Sequence, residues 1–245
     1  EVKSFTLQFY KGAYPTFDMF DTYPGDYSYK YPKAGEANSK VSAWSYSLGD
    51  GAVRKYDLPL AADGYIPRIK STFDANRIIL YTMNRHQDEL NLYAANPLTG
   101  ACKLLIKESV PKYVKEEAME GISIMKDYIL VPSDRDGYMH LYLYNKDGKL
   151  LRQIDKGNYD VTEIYGYDEK NTYFQAAARK PMQREIYVAD KSGKLTCLST
   201  RAGWNVASFS GDYKYFLNTW SDSNHPYVFA IYDNKGKEIR EVLNN

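Results

Sequence analysis

The chain has 245 residues, with 32 Lys and Arg against 31 Asp and Glu and a formal net charge of +1. That balance leaves no electrostatic footprint for nucleic acid or an anionic membrane surface. Hydrophobic residues make up 44%, enough for the core of one large all-β domain, and no apolar run reaches the ~18–20 residues of a membrane-spanning helix. Tyr stands out with 25 copies. It is a strand former with an apolar body and a polar tip, so many short, half-exposed strands account for it more simply than a sugar- or peptide-binding surface does.

In chain order, Glu1-Val2-Lys3-Ser4 carries neither an initiating Met nor a signal-peptide pattern. We read it as a piece of a longer chain or a processed product, so the ends do not give the compartment. The stretch 5–23 is rich in aromatics and broken at Gly12 to Pro15 and at Tyr23-Pro24-Gly25. It is expected to be either an extended arm or the strands of an incomplete sheet. Residues 27–31 and 41–46 alternate like strands. The unit 65–106 has turns at Asp74 to Asn76, Arg85 to Asp88 and Pro97 to Gly100. Residues 114–121 hold good helix formers ending on Gly121, which predicts a turn or two of helix.

From there the pattern is regular. Residues 122–133 read as two strands around Met125-Lys126-Asp127. A turn at Asp134 to Gly137, a strand at 140–144, a hairpin at Asn145 to Gly148 and a strand at 149–154 complete a four-stranded antiparallel unit. The same grammar recurs over 162–199 and 206–242. Five turn glycines, Gly51, Gly100, Gly148, Gly193 and Gly236, mark the repeat at spacings of 49, 48, 45 and 43 residues. A period of ~40–50 residues built of strands and turns is the signature of a β-propeller blade.

Chemistry-bearing motifs are sparse. Gly121-Ile122-Ser123-Ile124-Met125 lacks the second glycine of a nucleophile elbow. His86 and His225 fall at turns and His140 enters a strand; such histidines usually serve in hydrogen bonding, and none has metal-ligand spacing to another. Asp134 and Asp136 suggest a calcium loop, but Tyr138-Met139-His140 follows where more oxygen ligands would be needed. A turn that uses Asp and Gly for local hydrogen bonds is the stronger reading. The Glu116-Glu117 pair could anchor an amine, yet solvated charges on a short helix explain it. Cys102 and Cys197 each follow a corresponding turn, so they are expected on equivalent strands of different blades, reduced and too far apart to bridge. We assign no residue of this chain to catalysis, to a cofactor or to a metal.

Several strings, in order and at these spacings, carry a resemblance. They are Tyr31-Pro32-Lys33-Ala34-Gly35-Glu36 with Asn38; Tyr65-Ile66-Pro67-Arg68-Ile69; Asn84-Arg85 with Gln87, Leu92-Tyr93, Asn96-Pro97 and Thr99-Gly100; Ser133 to Tyr138 with His140-Leu141-Tyr142; Gly157 with Val161, Gly166 and Asp168-Glu169; and Ala207 to Ser210 with Lys214-Tyr215-Phe216. Together they resemble the propeller of the dipeptidyl peptidase IV family, in its bacterial, Bacteroides-type form, across essentially all of residues 1–245.

The resemblance implies an all-β fold, a partial β-propeller of about five four-stranded blade-equivalents from an eight-bladed parent. In that family an α/β-hydrolase domain of the same chain supplies a Ser-Asp-His triad and removes dipeptides after Pro or Ala from peptide substrates, while a Glu pair from the propeller holds the free amine. The hydrolase domain and that Glu pair are expected to be absent here; Glu116-Glu117 lies downstream in another context and does not take the role. The loop 108–120 corresponds to a segment with further substrate-side contacts but lacks the family's Phe-Arg. The resemblance also implies a periplasmic or otherwise extracytoplasmic location. The expected function is that of a non-catalytic propeller segment that shapes and gates the substrate cavity.

Two competitors remain open. One is a stand-alone interaction propeller binding a protein or glycan. The weaker is a propeller hydrolase using carboxylates ~5–10 Å apart. Self-association is also expected, through Phe5, Phe9, Phe17 and Phe20 at one end and Phe209, Phe216 and Phe229 at the other, if these form exposed apolar faces.

Overall fold

The computed structural model describes residues 13–18, 25–30, 35–168 and 170–245. The described residues are all-β apart from one short helix and fall into two compact units that divide between Val114 and Lys115. The architecture is that of a partial β-propeller: among the described residues there are four four-stranded sheets and two two-stranded ones, every strand pair within them antiparallel.

In the first unit, β1 (Ala13–Asp18) pairs with β2 (Gly25–Lys30), and β3 (Trp44–Tyr46) pairs with β4 (Val53–Lys55) across the Gly51 hairpin. A full meander follows: β5 (Ile69–Ser71), β6 (Ile78–Met83), β7 (Glu89–Ala95) and β8 (Cys102–Ser109). Leu80 and Ala95 pack on Ala43 and Tyr56, and the Ser45 hydroxyl donates to the Pro97 carbonyl at 2.7 Å. The segment before the meander is thereby fixed to it.

In the second unit, helix α1 (Glu116–Glu120) precedes three consecutive meanders. The first is β9 (Ser123–Ile124), β10 (Tyr128–Ser133), β11 (His140–Asn145) and β12 (Leu150–Gln153). The second is β13 (Val161–Tyr167), β14 (Thr172–Ala176), β15 (Glu185–Ala189) and β16 (Leu195–Cys197). The third is β17 (Trp204–Phe209), β18 (Tyr215–Ser221), β19 (Val228–Asp233) and β20 (Glu238–Asn244). Because successive side chains alternate faces, each sheet can present apolar residues to its neighbour. Leu130, Leu141 and Leu143 of the first sheet meet Val161, Phe174, Ala176 and Ala189 of the second. Tyr173 and Ile186 of the second meet Ala207, Phe216, Ala230 and Tyr232 of the third. Fully burying each large side chain in such an interface is worth about 1.5–3 kcal/mol.

The repeat glycines have a common physical reason. All five close the hairpin before a last strand, with φ of 70, 79, 85, 86 and 82° at Gly51, Gly100, Gly148, Gly193 and Gly236. L-residues with a Cβ rarely adopt that region. In the last three repeats an Asn or Asp opens the turn. Asn145, Asp190 and Asp233 each accept, through Oδ1, two backbone N–H groups of their own turn.

The expected exposed face at residues 209–229 is corrected in part. Phe216 is 1% exposed, and Phe209 packs at a tilt among Tyr165, Tyr173 and Tyr213. Both lie in the interface between the second and third sheets of the unit, because alternation points them inward; Phe229 is half-buried. Phe5, Phe9 and Phe20 lie outside the described residues, and Phe17 falls in β1.

Candidate functional site

A buried polar arrangement in the second unit holds the segment 154–161, which leads from β12 to β13. His140, at the head of β11, is 1% exposed. Its Nδ1 lies 2.6 Å from Asp155 Oδ2 and its Nε2 lies 3.0 Å from the Gly157 carbonyl oxygen. A carbonyl can only accept, so Nε2 carries a proton. Asp155 Oδ1 accepts the Leu141 N–H at 2.8 Å. Burial, which penalises the charged form, raises the Asp155 carboxyl above its ordinary value of 3.8, against the backbone and His140 hydrogen bonds. The Tyr159 ring lies edge-on to the imidazole, with centroids 5.4 Å apart.

Beyond Gly157, Asp160 continues the attachment. Its Oδ1 accepts the Met139 N–H at 2.7 Å, its carbonyl accepts the Ala177 N–H at 3.0 Å, and Val161 N–H donates to the Met139 carbonyl at 2.8 Å. The segment after β16 repeats the design without charge: the Ser199 hydroxyl accepts the Ile186 N–H at 3.1 Å, where Asp155 accepts that of Leu141.

Against this segment α1 and β13 border an open cavity of about 680 Å³. Its floor is apolar: Ala118, Pro132, Met139, Val161 and Ile164. Its exposed edge carries Glu117, Glu120, Asp160 and Glu163 and, among the described residues, the cation Lys115. Lys115 is itself engaged, its Nζ 3.4 Å from Asp134 Oδ2. Helix α1 is too short to stand alone; Ala118 and Met119 are buried beneath it, and that packing holds Glu117 at the rim.

The residues weighed in the sequence take these places. Ser123 is in β9, its hydroxyl donating to the Gly121 carbonyl at 3.4 Å. His225 is in an exposed turn, its Nδ1 2.8 Å from Asp222 Oδ1. Asp136 accepts from Gln153 Nε2 at 2.8 Å. Glu116 and Glu117 open α1. Cys102 and Cys197 are free, on the fourth strands of different sheets. Among the described residues no group of three or more His, Cys, Asp or Glu is arranged to hold a metal ion, and no helix is long and apolar enough to cross a membrane. Sequence reasoning missed Asp155, Asp160 and Glu163. An Asp two residues before Gly157, at the end of a repeat that begins with His140, was the available signal.

Consecutive four-stranded meanders, packed face to face and joined by clamped segments, define a β-propeller region. The chain belongs to the family described as the dipeptidyl peptidase IV (DPP IV) N-terminal region, whose match spans residues 1–227. The fold is similar to that in the crystal structure of Porphyromonas gingivalis dipeptidyl peptidase 4, with a TM-score of 0.87 and 37% identity over 96% of this chain and 34% of that one. Dipeptidyl peptidase 4 of Arthroderma otae is 26% identical, covering 100% of this chain and 33% of the relative. Inactive dipeptidyl peptidase 10 of Rattus norvegicus is 25% identical, covering 80% of this chain and 27% of the relative. The chain thus spans about a third of the length of the curated relatives it matches in full.

Proposed function

We propose that this chain is the part of a propeller domain that walls and gates the substrate cavity of a serine dipeptidyl peptidase, and that it is non-catalytic by itself. Acyl transfer through a serine nucleophile would be supplied by an α/β-hydrolase domain of the same protein, acting on peptides with Pro or Ala in the second position. The observation that carries the reading is the likeness to the Porphyromonas gingivalis enzyme along 96% of this chain. A periplasmic or otherwise extracytoplasmic site of action belongs to the same reading. So does self-association, supported by the exposed Tyr215, Leu217, Val242 and Leu243 of the last sheet and checked by sedimentation equilibrium.

The gating role is tested on the full-length protein. It should remove a dipeptide from a short free peptide and leave the same N-terminal sequence intact when a folded domain follows it directly. Equal rates on both substrates would refute gating.

A second reading is a binding scaffold for a protein or glycan. The match to a relative named as an inactive dipeptidyl peptidase supports it, since this region then serves a protein without the peptidase activity. Retention of a partner by the full-length protein, with no peptidase turnover, would favour it.

A further inference from the structure

We propose that the cavity between α1 and β13 receives a basic side chain, Lys or Arg, of a bound peptide. This inference rests on the reading that peptides reach this part of the propeller. It adds a subsite for a side chain of that peptide.

The volume of about 680 Å³ lies within the ~300–1,000 Å³ range of sites that enclose small ligands. The two chemistries of its wall are arranged as a long basic side chain requires. An aliphatic stem is stabilised along an apolar surface while its charged head stays at a polar, hydrated edge. Here the stem would lie over Ala118, Met139, Val161 and Ile164, and the head would meet the rim carboxylates.

Charge complementarity selects the occupant. Among the described residues the lining brings the exposed carboxylates of Glu117, Asp160 and Glu163 and one lysine, Lys115, into a single cavity, in a chain whose total formal charge is +1. Lys115 does not neutralise the rim fully, because Asp134 lies against it at 3.4 Å. An acidic side chain would be repelled there, and a neutral apolar one would bring nothing to the carboxylates. The site is built on a fixed backbone: Asp160 is anchored through the Met139 and Ala177 N–H groups, and α1 through buried Ala118 and Met119. Glu117 and Glu163 are exposed at the rim, so their attraction should weaken with ionic strength.

The test uses the full-length protein and fluorescent hexapeptides of Gly and Ala carrying one central Lys, norleucine or Glu. Each is acetylated at its N terminus, so that no terminal amine is offered and binding is read without turnover. Fluorescence anisotropy should give about tenfold tighter binding of the Lys peptide than of the norleucine peptide, with the Glu peptide weakest. The preference should fade as salt rises from about 25 mM to about 500 mM. The double variant Glu117→Gln with Glu163→Gln should lose at least about fivefold in Lys-peptide affinity, whereas Asp212→Asn, in a turn of the third sheet, should lose none. Equal binding of the Lys and norleucine peptides, or unchanged affinity in the double variant, would overturn the proposal. The outcome is separable from the peptidase reading. A protein that prefers Lys but cleaves nothing keeps the subsite and loses the enzyme; one that cleaves dipeptides without a Lys preference does the reverse.

Discussion

His140 and Asp155 form a buried pair 2.6 Å apart, with side chains 1% and 0% exposed, that ties the start of one strand to the segment leading into the next sheet. The second ring nitrogen holds the Gly157 carbonyl, and the second carboxylate oxygen holds the Leu141 N–H. Each atom of the pair thus has a partner, which is what makes burial of two ionisable groups tolerable.

Removing one member strands the other. Asp155→Ala is expected to destabilise the protein by about 2–6 kcal/mol, because the buried His140 ring nitrogen and the Leu141 N–H both lose their partner at about 1–3 kcal/mol each. Asp155→Asn, which can still accept from Leu141 and donate to His140, should cost about 1–2 kcal/mol. Urea unfolding followed by tyrosine and tryptophan fluorescence checks both; equal midpoints for the two variants would contradict the pairing.

The hairpin glycines differ in what a side chain would meet. At Gly100, with φ of 79°, an added Cβ would lie 2.4 Å from the Lys55 carbonyl oxygen; at Gly193, with φ of 86°, nothing lies within 4 Å. Gly193→Ala should therefore cost only the left-handed backbone penalty, about 1–2 kcal/mol. Gly100→Ala should cost distinctly more, because backbone must move. Thermal melts of the two variants give the comparison, and a smaller loss at Gly100 would refute the close approach.

Burial, helped by the Asp57 carboxylate, pushes the Cys102 thiol up to about 11. The thiolate is the nucleophile, so at pH 8 Cys102 should react with iodoacetamide far more slowly than a free thiol does. In denaturant without reductant both cysteines should titrate. Rapid labelling of Cys102 in the folded protein would contradict its burial.

Asp212 is held down to about 2 by hydrogen bonds from the Lys214 and Ser210 side chains and the Lys214 N–H. A depressed carboxylate contributes stability above its unfolded value, here 3.8, and loses it as pH falls through its folded value. The 210–215 turn should thus stay intact at pH 4 and loosen only as pH approaches about 2. NMR titration of the carboxyl carbon reads this; a midpoint near 3.8 would show the bonds are not kept in solution. The group is fully exposed, so the effect should be local and sensitive to salt.

Local signals in the sequence carried the repeat. Asn145, Asp190 and Asp233, each three residues before a glycine, fix the hairpins by their own side chains, so the turns were legible without tertiary contacts. The helix expected over 114–121 is present as Glu116–Glu120, and His140 begins a strand as its spacing implies. Asp155 was not legible, because its partner is fifteen residues away and meets it only through pairing of the sheet. Asp160 and Glu163 carry no local signal, because only the placement of α1 beside β13 brings them to one cavity. Phe216 misled because its inward direction depends on register: it pairs with Phe209 on one side and Tyr232 on the other, in the interface with the preceding sheet.

Under the proposed function, residues 1–245 do not carry the peptidase chemistry themselves. The most direct test is hydrolysis of Gly-Pro-p-nitroanilide, measured in parallel for the full-length protein and for residues 1–245 alone, each with and without a serine-directed inhibitor. The full-length protein should show turnover that the inhibitor abolishes, and residues 1–245 should show none. Inhibitor-sensitive turnover by residues 1–245, or none by a correctly folded full-length protein, would contradict it.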